Sequence, residues 1–291
     1  MKKPIRFVII PKVAHPWFEE VNQGARSQAE ILSRELDVTF VVDYIPPSFA
    51  DPEEQKSILE KALMSRPQGI ALDPVDSIGH MEVINNIRNQ GIPLVLFDSL
   101  SPDKSITSIG TNFALQGIIA AERLLKLINY TGKVAIMQGY PTAPNHKERY
   151  EAQLGLLKRH PNVTIVEGGI DNDSIETAFQ QATAVISSNP DLSGYLCCDA
   201  SGPIGIAMAV KATKKTGKIK IVAMDGLKPI LNAIKEGVID SSSATIPKMQ
   251  GSMSILMLWQ ASLGIPTPPL IDTGVVLITQ ENIDRFLADA D

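Results

Sequence analysis

The chain has 291 residues, 44% hydrophobic, 20% charged and 5% aromatic, a balance that excludes a disordered or low-complexity polypeptide. Its formal charge of −5, from 27 Lys and Arg against 32 Asp and Glu, argues against the broad positive face of a nucleic-acid binder. At about 100–200 residues per domain, the length predicts two domains, and no segment approaches the roughly 18 apolar residues of a membrane span.

Short runs rich in Val and Ile alternate with longer amphipathic stretches, which predicts βαβ units around a parallel sheet. The first series has strands over 6–10, 38–42, 69–72 and 94–97, a weaker strand over 105–109, and helices over 16–34, 52–63 and 78–89. A helix over 114–128 leads into a second series. Its strands are 133–137, 163–167, 194–198 and 219–224, and its helices 146–158, 174–188, 202–212 and 229–236. A strand over 241–244, a helix over 249–263, a Pro/Gly-rich turn over 264–269 and a strand over 275–278 complete the pattern.

Strand three of each series runs into an aspartate (Asp73, Asp199), and so does strand four (Asp98, Asp225). That match reads as an internal duplication. Ligands of open parallel sheets bind beyond the carboxyl ends of the strands, where these four carboxylates fall. Two such edges facing each other would make a polar cleft.

Other motifs carry less. Cys197 and Cys198 are adjacent within an apolar run and read as small core residues. Lys211, Lys214, Lys215, Lys218 and Lys220 read as a solvated helix end. His15, His80, His146 and His160 are scattered without ligand spacing, so no metal is expected. No glycine-rich dinucleotide or phosphate loop and no nucleophile elbow is present, so no cofactor is expected and the chain is not expected to be an enzyme. Met1-Lys2-Lys3-Pro4 leads straight into a strand, too short for a secretory signal. The expectation is a cytoplasmic protein or the mature form of an exported one.

His15-Pro16-Trp17-Phe18 after strand one, Ile92-Pro93-Leu94-Val95-Leu96-Phe97-Asp98 at strand four, Gln138-Gly139 with Glu148-Arg149, and Ala223-Met224-Asp225-Gly226 together resemble the ribose-binding-protein type of periplasmic sugar receptor. Their order and spacing match from about residue 6 to residue 278. The resemblance implies an α/β fold of two similar doubly wound parallel-sheet lobes joined by a three-crossing hinge, the type I periplasmic binding protein architecture. One lobe would comprise 1–111 plus 247–272, the other 112–246 plus 273–291. A sugar or sugar alcohol would be held between them by hinge closure, and occupancy signalled to the membrane permease of an ABC transporter. The receptor would act as a monomer, periplasmic or extracellular and membrane-associated after export, with its leader absent from this chain.

A sugar presents hydroxyls and weakly apolar C–H faces, so its site needs fixed polar groups and aromatic rings. Trp17 and Phe18 supply rings; being adjacent on a helix they point in different directions, so at least one should lie off the core face. Asp98 and Asp225 end buried strands, where a carboxylate needs a partner or a ligand; a helix N-cap is the plain alternative for each. Arg149 falls on the family's arginine position, with a solvated helix charge as its plain alternative. Asp199, His15 and Thr245 stand where ribose receptors usually have Asn, Asn and Gln. Ser99 replaces a second arginine and Asn172 a stacking phenylalanine, leaving room for a ligand other than ribose. Three carboxylates against one arginine favour a small neutral polyhydroxylated ligand, a monosaccharide or alditol, with an amino sugar as a variant, over an acidic one. Arg149→Ala and Asp225→Ala are expected to abolish binding and leave the fold intact.

Two rivals stand beside this reading. The effector-binding core of a sugar-responsive transcription regulator shares the fold, but a helix-turn-helix would precede strand one, which here starts about five residues in. A sugar-modifying enzyme would use Asp98 or Asp225 as base, but no cofactor, metal or nucleophile motif accompanies them.

Overall fold

A computed structural model describes residues 3–289; the Met1-Lys2 start and residues 290–291 lie outside the described residues. In chain order the elements are β1 (Ile5–Ile10), α1 (Pro16–Leu36), β2 (Phe40–Tyr44), α2 (Pro52–Met64), β3 (Gly69–Leu72), α3 (Met81–Asn89), β4 (Leu94–Phe97), β5 (Thr107–Gly110), α4 (Phe113–Leu127), β6 (Gly132–Gln138) and α5 (Pro144–Leu157). They continue as β7 (Val163–Ile170), α6 (Ile175–Ser188), β8 (Leu192–Leu196), α7 (Gly202–Ala212), β9 (Lys220–Met224), α8 (Lys228–Lys235), β10 (Ser241–Ala244), α9 (Pro247–Ser262), β11 (Leu270–Asp272), β12 (Val276–Thr279) and α10 (Ile283–Asp289). The chain forms two compact units, Met1–Thr111 with Ile246–Gly274 and Asn112–Thr245 with Val275–Asp291.

The first unit holds a six-stranded sheet in the order β11-β5-β4-β3-β1-β2, parallel throughout. Alternation along β3 explains its two apolar faces. Ile70 and Leu72 join Val8, Ile10, Leu94 and Leu96 in a core that Leu59 and Leu63 of α2 and Val83, Ile84 and Ile87 of α3 complete. Gly69 faces the other way, close beneath Leu258 of α9. There α9 and α1 pack on one another so tightly that a methyl group at Gly24 would strike the Lys248 carbonyl, and one at Gly251 the Val21 carbonyl.

The second unit repeats the plan with the order β12-β10-β9-β8-β6-β7. All neighbours run parallel except β12, which closes the edge antiparallel to β10. Helices pair as α4 with α5 and α6 with α7, and Gly194 of β8 makes room for Leu124 of α4.

The differences from the sequence reading have local causes. Helix α3 begins at Met81 instead of 78, because the Asp76 carboxylate accepts from the Ile78 and Gly79 amides and holds those residues in a turn. Strand β7 runs on to Ile170, three residues past the predicted end, through Gly168 and Gly169. Two short elements, β11 just after three prolines and the seven-residue α10, show no periodicity long enough to read.

Candidate functional site

In the first unit the polar residues gather at the carboxyl ends of β1, β3 and β4. Gln55, fully buried on α2, stitches these ends together: its amide donates to the Pro11 and Asp73 carbonyls, and its Oε1 accepts from the Val75 amide. Asp73 leaves β3 buried, with Oδ1 accepting from the Ser99 hydroxyl at 2.8 Å. The Lys12 ammonium, just past β1 and also buried, stands 3.9 Å from Asp73 Oδ2 and 5.9 Å above the Phe18 ring. Asp98 takes a left-handed conformation (φ 47°) at the end of β4, and its amide donates to the Ile109 carbonyl and to Gln250 Oε1. His15 caps α1, Nδ1 accepting from the Trp17 amide at 3.1 Å. Trp17 and Phe18 are both buried, in edge-on contact at 5.1 Å, and Phe18 meets Phe97 edge-on at 6.2 Å.

In the second unit Arg149 is 2% exposed. Its Nε donates to Gln116 Oε1 at 2.7 Å, its Nη1 to the Cys198 carbonyl at 3.2 Å, and the guanidinium stands 4.9 Å over the Phe113 ring. Gln116 in turn donates to the Ser243 carbonyl, so one chain of bonds ties α5 through α4 to β10. Asp225 repeats the left-handed turn at the end of β9 (φ 63°); its Oδ1 accepts from both the amide and the hydroxyl of Thr245. Neither Asp98 nor Asp225 caps a helix. Asp199 does receive a helix-start amide, that of Gly202, at 2.7 Å. Asn172 is exposed in a left-handed turn between Asp171 and Asp173.

Burial changes one expectation. Arg149 and Asp225 were expected to lie outside a core, so that alanine would leave the fold intact. Arg149 is instead among the largest fully buried side chains, and removing it would open a cavity and strip Gln116 Oε1 of its donor, at a cost of about 2–4 kcal/mol. Asp225, 4% exposed, is the acceptor for the Thr245 amide and hydroxyl.

Four residues beside the expected set carry charge or donors into these regions. Lys12, two residues past the end of β1, adds a second buried cation. Asp171 directly follows β7, which extends to Ile170, beyond the end expected from the sequence. Asp171 is fully buried, its Oδ1 accepting from the Asp173 amide. Burial, with the Asp173 charge nearby, lifts its carboxyl to about 7 against the opposing pull of a hydrogen bond with Asp199; burial and Asp171 hold Asp199 well above the carboxylate range. Burial likewise keeps the Cys197 and Cys198 thiols protonated.

His146 joins this corner, and with Asp173 and Asp199 forms a set whose donor atoms lie within 4.8 Å of one another. Linear spacing hid it, because the three residues come from three separate loops and helices. The ring's chemistry does not suit a metal, however. Nδ1 accepts from the Tyr140 amide at 2.8 Å, so in the neutral ring the hydrogen sits on Nε2, which faces Asp173 Oδ1 at 3.9 Å. The lone pair a metal would need is already in use.

The arrangement offers buried acceptors, two buried cations and aromatic rings at strand ends, a set suited to holding a hydroxylated solute in fixed orientation. Among the described residues no helix is long and apolar enough to cross a membrane. Comparisons with known proteins agree with the architecture. The chain is 22% identical to a D-allose-binding periplasmic protein of Escherichia coli K12 over 275 residues, covering 90% of this chain and 86% of the relative. It is 24% identical to a D-ribose/D-allose-binding protein of Pseudomonas aeruginosa, covering 96% and 89%. Among solved structures, an ABC transporter solute-binding protein of Burkholderia graminis in complex with D-arabinose superposes with a TM-score of 0.89 at 27% identity, over 97% of this chain and 98% of that one. A solute-binding protein of Agrobacterium vitis with bound D-fucose, 22% identical, shares the fold at a TM-score of 0.91 over 98% and 99%. The family model for the periplasmic binding protein domain matches residues 6–265, and the chain belongs to that family.

Proposed function

We propose that this chain is the solute receptor of an ABC importer, taking a monosaccharide or sugar alcohol between its two units and closing on it by hinge bending. The observation that carries the reading is the set of buried, geometrically fixed polar side chains at the carboxyl ends of each sheet, in a chain whose relatives are sugar-binding receptors. Those relatives support it over the effector core of a regulator or a sugar-modifying enzyme. The two compact units serve as the lobes, and His15, Trp17, Phe18, Asp98 and Ser99 of the first, with Arg149, Asn172, Asp199, Asp225 and Thr245 of the second, contact the ligand. The receptor works as an exported monomer, periplasmic or membrane-associated, and hands its solute to a membrane permease without altering it.

A thermal-shift screen over pentoses, hexoses, alditols, inositols and amino sugars tests this directly. A ligand at one hundred times its Kd raises stability by about 2.7 kcal/mol, an upward shift of several degrees. Absence of a shift with every member of the panel would sink the reading.

A further inference from the structure

The second unit contains a pair of buried carboxyls that a neutral sugar does not require. Asp171 and Asp199 follow strands β7 and β8, which flank β6 in the sheet, and converge on Gly202, where an added methyl group would lie 2.8 Å from Asp171 Oδ2 and 2.8 Å from Asp199 Oδ1. Each has one oxygen satisfied by a backbone amide, Asp173 for Asp171 and Gly202 for Asp199, and each has an Oδ2 that no donor from another residue reaches, leaving the two carboxyls to hydrogen-bond with one another. Asp199 Oδ2 turns toward Gly139 and the His146 ring; a methyl group at Gly139 would lie 2.7 Å from that oxygen. Asp199 is 2% exposed and Asp171 fully buried. The groups facing the pair are Asp173 on its own loop, His146 and Arg149 from α5, and Tyr195, Cys197 and Cys198 along β8 and its exit. Arg149 donates elsewhere, to Gln116 and Cys198. Burial keeps the tyrosine and both thiols protonated, and Asp173 adds further negative charge.

We infer that the receptor selects a polyol bearing a protonated amine, an amino sugar or aminoalditol, whose ammonium meets Asp199 and takes the place of a proton shared between Asp199 and Asp171. The inference rests on the receptor reading and names the ligand class within it. Two buried carboxylates side by side are mutually repelled and poorly solvated, so the empty pair holds one proton. An ammonium supplies up to three donors and a full positive charge to the same oxygens, and the displaced proton goes to solvent. Asp199 is the contact; Asp171 is a positioning residue that acts through it.

The test pairs each amine with its hydroxyl parent: glucosamine, galactosamine and mannosamine against their hexoses, and 1-amino-1-deoxyglucitol against glucitol. Titration calorimetry at pH 5, 7 and 8, in buffers of different ionisation heat, reads affinity and proton release together. The expected result is an amine bound at least tenfold more tightly than its parent at pH 8, an advantage that shrinks toward pH 5, with net proton release at pH 7. In Asp199→Asn and in Asp171→Asn the amine-to-parent affinity ratio falls at least tenfold and the proton release disappears. Parents bound as tightly as amines at pH 8, or amine binding without proton release, overturn the inference while leaving the receptor reading standing. Binding of neither member of any pair counts against both.

Discussion

Asp171 and Asp199 set the pH behaviour of the ligand-free protein. Burial, with the Asp173 charge, raises Asp171 from its usual 3.8 to about 7, and burial with the nearby Asp171 raises Asp199 as well. The folded chain therefore binds more protons than the unfolded one between those values, and the stability this contributes is fully present below about pH 4 and lost as pH rises through 7. Melting temperature should fall between pH 5 and pH 8, and Asp199→Asn, which places an amide donor beside Asp171, should flatten that fall. Parallel declines in the two proteins would show that the pair does not carry the effect. At this scale the sequence was only partly readable. Strand-end aspartates announced themselves by position, and so did the arginine by its likeness to a family. His146 and Asp173 did not, because their meeting depends on turns that bring three distant segments together. Family likeness places Arg149 in the site as its cation, with a solvated helix charge beside Lys147 and Glu148 as the plain alternative; packing adds that it is a buried strut between Gln116 and Cys198.

Among the elements, α1 and α9 depend on two glycines for their approach. Both lie inside helices, where glycine costs roughly 0.5–1 kcal/mol relative to alanine, so the contact must repay that. Gly251→Ala should nonetheless destabilise the protein by about 1–3 kcal/mol, since the new methyl group would meet the Val21 carbonyl backbone. Gly155→Ala is the matched control: this glycine sits within α5 with nothing within 4 Å of an added methyl group, and the change should stabilise by about 0.5–1 kcal/mol. Urea unfolding of both variants measures the contrast, and equal effects would refute the packing argument. Element type was legible where periodicity extended over several turns or a full strand. It failed at β11, three mostly exposed residues directly after prolines, and at α10, where seven residues follow a strand and an exposed turn.

At the scale of the whole molecule, the first unit cannot be completed by the first part of the chain alone. Its helix α9 and edge strand β11 arrive after the second unit has been built, and Trp259 of α9 packs edge-on against Phe40 of β2 at 5.1 Å. A chain ending at Thr245 leaves the apolar face of α1 and one face of the first sheet uncovered. Such a truncation should show no cooperative transition for the first unit by calorimetry or near-UV circular dichroism. A sharp two-state melt of that unit would contradict the account. The duplication itself was written in the sequence, in two series of strands punctuated by matching aspartates, whereas the antiparallel pairing of β12 was not, because direction leaves no mark on an apolar run of four.

The left-handed backbone at Asp98 and Asp225 has a bearing on how recognition can change over time. Few residues accept that conformation, chiefly glycine, asparagine and aspartate. Aspartate codons reach asparagine or glycine by a single base, so one step at each strand end removes the side chain and another turns an acceptor into a group that both donates and accepts, while the main chain stays where it was. Descendants of such a scaffold can thus explore new solutes by point changes in hydrogen-bond polarity, with the turn geometry acting as the filter on which variants survive.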